Sequence, residues 1–137
     1  MKLSKADFEL IEKATEVLTA NLDLYEDKSI VVACVLKAKS GKIYKGINIK
    51  SSHSICAEHV ALGQAFACGE REFDTIVSVK LDTNNQPRVV SPCGVCRYTF
   101  NKLDLDINVI VEDVYKDVDL KVKAKELLPY PYKRIDD

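Results

Sequence analysis

Three cysteines and one glutamate carry the chemistry that can be read from this chain. They lie in Cys56-Ala57-Glu58 and in Ser91-Pro92-Cys93-Gly94-Val95-Cys96-Arg97. Thiolates are favoured ligands of zinc, which takes four donors in tetrahedral geometry. Cys93 and Cys96 are three residues apart, so at a helix start both sulfurs can face one point. Cys56 would supply a third ligand from the start of a second helix. Helix N-termini present free N–H groups and partial positive charge, and both favour thiolate over thiol. Three protein ligands leave one tetrahedral position for water, as catalytic sites do. Zinc lowers the pKa of such a water to about 7. Glu58 can stand beside the open position without ligating, where a proton shuttle belongs. One Zn2+ per chain is predicted. A closed structural site would need His53, His59 or Cys68 as fourth ligand; the chain has no second C-x-x-C to complete one.

Two helix starts must therefore be brought together, and the remaining pattern shows how. Ser4 followed by Asp7 has the form of a capping box. Leu3, Phe8, Ile11, Ala14, Thr15 and Leu18 then recur at helical spacing, predicting an amphipathic helix over about 4–20. Ile30–Leu36 is a continuous apolar run rich in β-branched residues, the pattern of a strand buried on both faces. After the Ser40-Gly41 turn, Lys42–Ile49 reads as its antiparallel partner. A polar linker, Lys50–Ser54, leads into a helix over about 55–68 that is apolar nearly all round and capped by Gly69. Strands are predicted at Asp74–Leu81 and Ile107–Glu112, with a turn-rich loop at Asp82–Arg88. Pro92 suits the first position of a helix running to about Lys102. A five-residue connector makes a last short strand, Leu120–Val122, an antiparallel neighbour of the one before it. One helical turn, Ala124–Leu128, ends at Pro129. The predicted fold is α/β: a three-layer α/β/α sandwich on a mixed five-stranded sheet, one domain over 1–137.

Bulk properties narrow the function classes. The 137 residues carry a net charge of −1, whereas domains that neutralise phosphates usually show a basic excess. Nucleic acid is therefore not predicted as a partner. No apolar run reaches the length of a signal peptide or a membrane span, so the reading is a cytoplasmic protein without a membrane partner. Five cysteines in a reducing compartment are thiols or metal ligands rather than disulfides. Cys34 and Cys68 are read as small buried apolar residues.

The combination C-A-E with P-C-x-x-C matches the signature of zinc deaminases. The chain resembles the cytidine deaminase family, and within it the blasticidin S deaminase branch. The likeness rests on Gly46-Ile47-Asn48, Cys56-Ala57-Glu58, Ser91-Pro92-Cys93-Gly94-Val95-Cys96-Arg97 and Glu126-Leu127-Leu128-Pro129. It implies hydrolytic deamination of a cytosine ring at C4. Glu58 would move protons to N3 and to the departing ammonia, and the backbone near Ala57 and Ser91 would bind the ring. It also implies the fold predicted above and a homotetramer.

Departures from the family pattern bear on substrate. Typical cytidine deaminases have G-x-N-x-E, whose Asn and Glu bind ribose hydroxyls. Here Asn48 is kept and Lys50 replaces the Glu. A cation cannot accept O–H bonds but can meet a carboxylate, such as that of blasticidin S, a cytosine nucleoside analogue with a carboxylated sugar. Ser29, Arg88 and Tyr132 resemble positions of the blasticidin branch that touch substrate. His59 stands where cytidine deaminases often carry an Arg that donates to the thiolates; it is either a support of the metal ligands or a helix-surface residue. His53 lies in the linker over the pocket. The favoured function is deamination of a free cytosine nucleoside or analogue of the blasticidin S kind. The alternatives are cytidine or deoxycytidine deamination and a non-catalytic zinc-stabilised nucleoside-binding module.

Overall fold

Ser4 caps the first helix, α1 (Lys5–Ala20), as its spacing predicts: the Asp7 N–H donates to Ser4 Oγ (3.2 Å) and the Ser4 N–H donates to Asp7 Oδ2 (2.8 Å). The apolar stripe is rotated from the predicted one. Leu10, Ala14 and Leu18 are buried beside Asp7, while Phe8 is 59% exposed. The rotation follows from Asp7, which is buried against Lys121 Nζ at 2.9 Å and turns its own face of the helix inward.

The computed structural model describes residues 1–133. Its elements run α1, β1 (Val32–Ala38), β2 (Ile43–Ile47), α2 (Ala57–Ala67), β3 (Phe73–Leu81), β4 (Pro87–Val90), α3 (Gly94–Lys102), β5 (Asn108–Asp113) and β6 (Val118–Lys123). Short 3-10 turns occupy Lys28–Ile30 and Ala124–Leu127. The sheet order is β2-β1-β3-β5-β6, with only β3 and β5 parallel. The five predicted strands are present. A sixth, β4, lies partly in the segment read as loop; it pairs antiparallel with the end of β3, Ser78 facing Val90 and Lys80 facing Arg88.

β1 is buried on both faces, and its alternation divides the core in two. Ala33 and Val35 pack with Leu10, Ala14 and Leu18 of α1. Cys34, Leu36 and Ala38 pack with Ala61 and Leu62 of α2 and Phe100 of α3. This is the predicted three-layer sandwich. α2 is not buried all round as its composition suggests: Gly63, Gln64 and Ala67 are exposed, since side chains this small or polar lose little by facing water. Cys34 is buried, but Cys68 is exposed at the end of α2. Neither cysteine helix begins where predicted. Cys56 and Cys93 are the N-cap residues themselves, and Pro92 precedes the helix rather than opening it. Among the described residues no helix is long and apolar enough to cross a membrane.

The Asp7 pair ties α1 to β6, reinforced by reciprocal backbone bonds of 3.0 Å between Met1 and Lys121. Burial opposes ionisation of Asp7, but its bonds to Ser4 and Lys121 outweigh it and hold the carboxyl below the ordinary 3.8. A carboxyl depressed in the folded state adds stability above its unfolded pKa and loses it as pH falls through the folded value. Asp7→Asn is thus expected to lower the unfolding free energy at pH 7 by about 1–3 kcal/mol. The gap from wild type should close below pH 3.8, which urea titrations at several pH values would measure.

Candidate metal and catalytic site

Two adjoining segments deliver Cys56 to the site. Ile49 and Ile55 exchange backbone bonds of 2.9 and 2.8 Å, closing the 50–54 linker into a loop. Just before it, the Tyr25 hydroxyl donates to Asn48 O (2.6 Å) and accepts from the Lys50 N–H (2.9 Å). The helix that follows then lies directly on β2. A Cβ added to Gly46 would stand 2.3 Å from Ala57 O and 2.6 Å from the Ala61 nitrogen. Only a residue without a side chain lets α2 come this close.

The second helix start is held by Arg97. Its Nε donates to Pro92 O (2.8 Å) and its Nη1 to Leu127 O (3.3 Å). Arg97 thereby joins the P-C-x-x-C segment to the Glu126-Leu127-Leu128-Pro129 segment.

These supports bring Cys56, Cys93 and Cys96 together, with all three sulfurs within 4.8 Å of one another. Cys93 Sγ lies 3.4 Å from Cys56 Sγ and 3.6 Å from Cys96 Sγ. Tetrahedral zinc with sulfur at about 2.3 Å has ligand edges near 3.8 Å, so the set fits one zinc. No fourth metal-ligating side chain joins the group among the described residues. His53 is exposed on its loop and Cys68 is at the far end of α2. His59 is a neighbour of the sulfurs: its Nδ1 is 3.5 Å from Cys96 Sγ and its Nε2 2.8 Å from Thr99 Oγ1. Since the Thr99 hydroxyl donates to Val95 O (3.0 Å), it accepts from His59.

The thiols are electrostatically unequal. Burial raises Cys96 far above the ordinary thiol value, and negative charge at Glu58, Cys56 and Cys93 adds to it. Burial, then the adjoining Cys93, raises Cys56. At Cys93 burial is outweighed by hydrogen bonds, chiefly from the Cys96 N–H, and the pKa falls. Three such sulfurs beside a carboxylate need a cation to be held ionised together. Glu58 is 7% exposed. Burial pushes its carboxyl above the ordinary range, against its own backbone N–H and the Ser78 hydroxyl.

Beside the cysteines opens a cavity of about 290 Å3. Asn48, Ala57, Glu58 and Ser91 line it, as does Lys80. The Asn48 side chain is largely committed: Oδ1 accepts from the Val32 N–H (2.8 Å) and Nδ2 donates to Ile30 O (2.9 Å). One Nδ2 proton remains for a ligand. The Ser91 hydroxyl bonds the Glu112 backbone at 3.3–3.4 Å. Ser29 and Arg88 line an adjoining cleft of about 460 Å3. There Arg88 pairs with Glu112 (2.5 Å) and Asp117 (2.9 Å), and Ser29 Oγ donates to Asp27 (2.6 Å). Lys50 is exposed and Tyr132 is 73% exposed; neither lines the cavity. Sequence reasoning missed Ser78 and Lys80. Their available signal was two polar side chains, two residues apart, interrupting the apolar strand β3.

Comparison with known proteins agrees with this geometry. Residues 4–112 match the family model of the cytidine and deoxycytidylate deaminase zinc-binding region. A blasticidin-S deaminase of Bacillus cereus is 37% identical, with 96% of each chain covered. A cytidine deaminase of Shewanella sediminis is 38% identical over 53% of this chain and 23% of its own length. Among solved structures, the cytidine deaminase of Burkholderia pseudomallei superposes with TM-score 0.69 at 27% identity, covering 95% of this chain and all of that one. That of Bacillus anthracis shares the fold, with TM-score 0.68 at 18% identity over 89% of each chain.

The Gly46 contact makes a direct expectation. Gly46→Ala sets a methyl against backbone, which cannot yield as a flexible side chain would. It should cost about 1–3 kcal/mol or more and displace Cys56 from the other two sulfurs. Urea unfolding and metal analysis after exposure to a mild chelator would measure both effects. An alanine variant with wild-type stability and zinc content would show that the approach of α2 is not constrained there.

Proposed function

Since the chain belongs to the cytidine and deoxycytidylate deaminase family and is a zinc-dependent deaminase, we propose that it hydrolyses the exocyclic amine of a free cytosine nucleoside or analogue. One observation carries this: three sulfurs converge beside a buried carboxyl, and two of them, Cys56 and Cys93, line with Glu58 one cavity of about 290 Å3. Cys56, Cys93 and Cys96 would hold the zinc. When bound, it supplies a water acidic enough to attack near neutral pH.

The remaining chemistry belongs to the chain. Glu58 takes a proton from the water that adds to C4 and gives it to ring N3. It then passes the proton left on the added oxygen to the amine, so that the C4–N bond breaks, ammonia leaves and the oxygen stays on C4 as a carbonyl. A carboxyl raised by burial suits a group that must both take and give protons. The ring is bound by backbone near Ala57 and Ser91. Asn48, fixed by Ile30 and Val32, offers its remaining N–H at the sugar side. His59, anchored on Thr99, holds Cys96 from behind.

A substrate of the blasticidin S kind is favoured, because the Bacillus cereus relative named for that activity matches over 96% of both chains. Cytidine or deoxycytidine is the second reading, supported by the structural likeness to the Burkholderia enzyme. Assembly as a homotetramer would cover the apolar surface of Ile55, Val95 and Tyr98 around the cysteines, all exposed in the single chain. The reading places the enzyme in the cytoplasm, where thiols stay reduced.

Glu58→Gln keeps shape and removes the proton carrier. It is expected to lower kcat by about a hundredfold or more while zinc content stays at one per chain. Loss of ultraviolet absorbance and ammonia release, followed on cytidine, deoxycytidine and blasticidin S, would measure it. Full activity of the zinc-loaded Gln variant would refute the assigned role.

A further inference from the structure

Lys80 sits on the wall between the zinc cavity and the adjoining cleft. Lys80 and Val90 line both spaces, and among the described residues Lys80 is the only cationic one lining the zinc cavity. Its backbone is fixed in the sheet, paired with Val32 on one side and Arg88 on the other. Ser78 and Lys80 are two residues apart on β3, so both side chains leave the same face of the sheet, the face on which Glu58 lies.

The charges around Lys80 are already engaged with other groups. Glu112 and Asp117 pair with Arg88. Asp82 Oδ1 accepts from the N–H groups of Asn84 (2.8 Å) and Gln86 (3.0 Å). Asp27, whose carboxyl feels Lys80 at longer range, accepts both the N–H and the hydroxyl of Ser29. Among the described residues no carboxylate stands within ion-pair distance of Lys80. Lys80 is thus a half-buried ammonium without a fixed partner, aimed at the seam between two cavities. Removing such a charge from water is unfavourable unless an anion meets it.

Resting on the deaminase reading above, we propose that Lys80 determines specificity by binding an anionic substituent, carboxylate or phosphate, on the sugar side of a cytosine nucleoside. A ring whose C4 faces Glu58 and the cysteines must direct its sugar away from them. Lys80 and Val90 form the wall it would then pass. The charge that the sequence pattern suggested for Lys50 is supplied instead by a residue 30 positions later.

The test compares the zinc-loaded wild type with Lys80→Met and Lys80→Arg on four compounds: cytidine, deoxycytidine, cytidine 5′-monophosphate and cytidine 5′-carboxylate. For at least one anionic compound, the ratio of its kcat/KM to that of cytidine should fall about tenfold or more in Lys80→Met. The change should lie mainly in KM, and Lys80→Arg should restore it. The two anionic arms separate carboxylate from phosphate. An equal loss on neutral and anionic compounds would overturn the proposal, because a purely structural lysine predicts that result. Absence of turnover on all four by fully zinc-loaded wild type would count against the deaminase reading instead. Calorimetry on the same protein then decides for Lys80: binding of an anionic compound that Lys80→Met abolishes supports the anion site, and binding that is unchanged or absent overturns it.

Discussion

The close approach of α2 to β2 at Gly46 is the constraint on which the site depends. Ala57 and Ala61 present backbone atoms where a side chain would otherwise lie. The approach sets where α2 begins, and Cys56 and Glu58 lie in that beginning. The second start needs a different device, because Cys93 follows a short strand rather than a sheet-packed turn. There Arg97 gathers two carbonyls, from Pro92 before the helix and Leu127 near the described C-terminal end. One contact works by absence of atoms, the other by a forked donor that satisfies two acceptors at once. Both act on helix starts, so small errors in either would pass directly to the sulfurs.

That geometry gathers groups that repel one another when ionised. Cys96 is fully buried and Glu58 nearly so; burial raises both toward the protonated form, and the charge of Glu58 raises Cys96 further. Helix N–H groups offset this at Cys93 but not at Cys56 or Cys96. A divalent cation resolves the conflict for the thiols and leaves Glu58 beside them, outside the ligand group. Metal binding and the integrity of this corner are therefore one equilibrium.

What was legible in the sequence was local. The Ser4–Asp7 capping box, the two-faced burial of β1 and the cysteine spacing each depend on residues a few positions apart, and each appears in the structure as read. What was hidden depended on long-range partners. Phe8 looked like part of the stripe, but the Asp7–Lys121 pair rotates α1 away from it. The strand β4 is four residues long and opens with proline, so its pairing with β3 left little mark in composition. The sequence pattern places Lys50 two residues after Asn48, where a substrate contact is expected. The Tyr25 hydroxyl instead fixes the backbone there, and the lysine that reaches the cavity comes from a strand whose pattern otherwise reads as core.

The outer edge of β3 explains why metal chemistry and the adjoining cleft share a wall. That edge is divided: Thr75 and Ile76 pair with β5, and Ser78 to Leu81 pair with β4. If β5 ran the full length of β3, the chain could not return from the sheet to Cys93 at this point. Because β4 takes the second half, Ser91 and Cys93 follow directly beside Ser78 and Lys80. The same division sets the buried Ser78 hydroxyl, which has no well-formed hydrogen bond of its own, against Glu58 and Cys34. One short strand thus delivers the Cys93–Cys96 pair and leaves Lys80 of β3 lining the cavity.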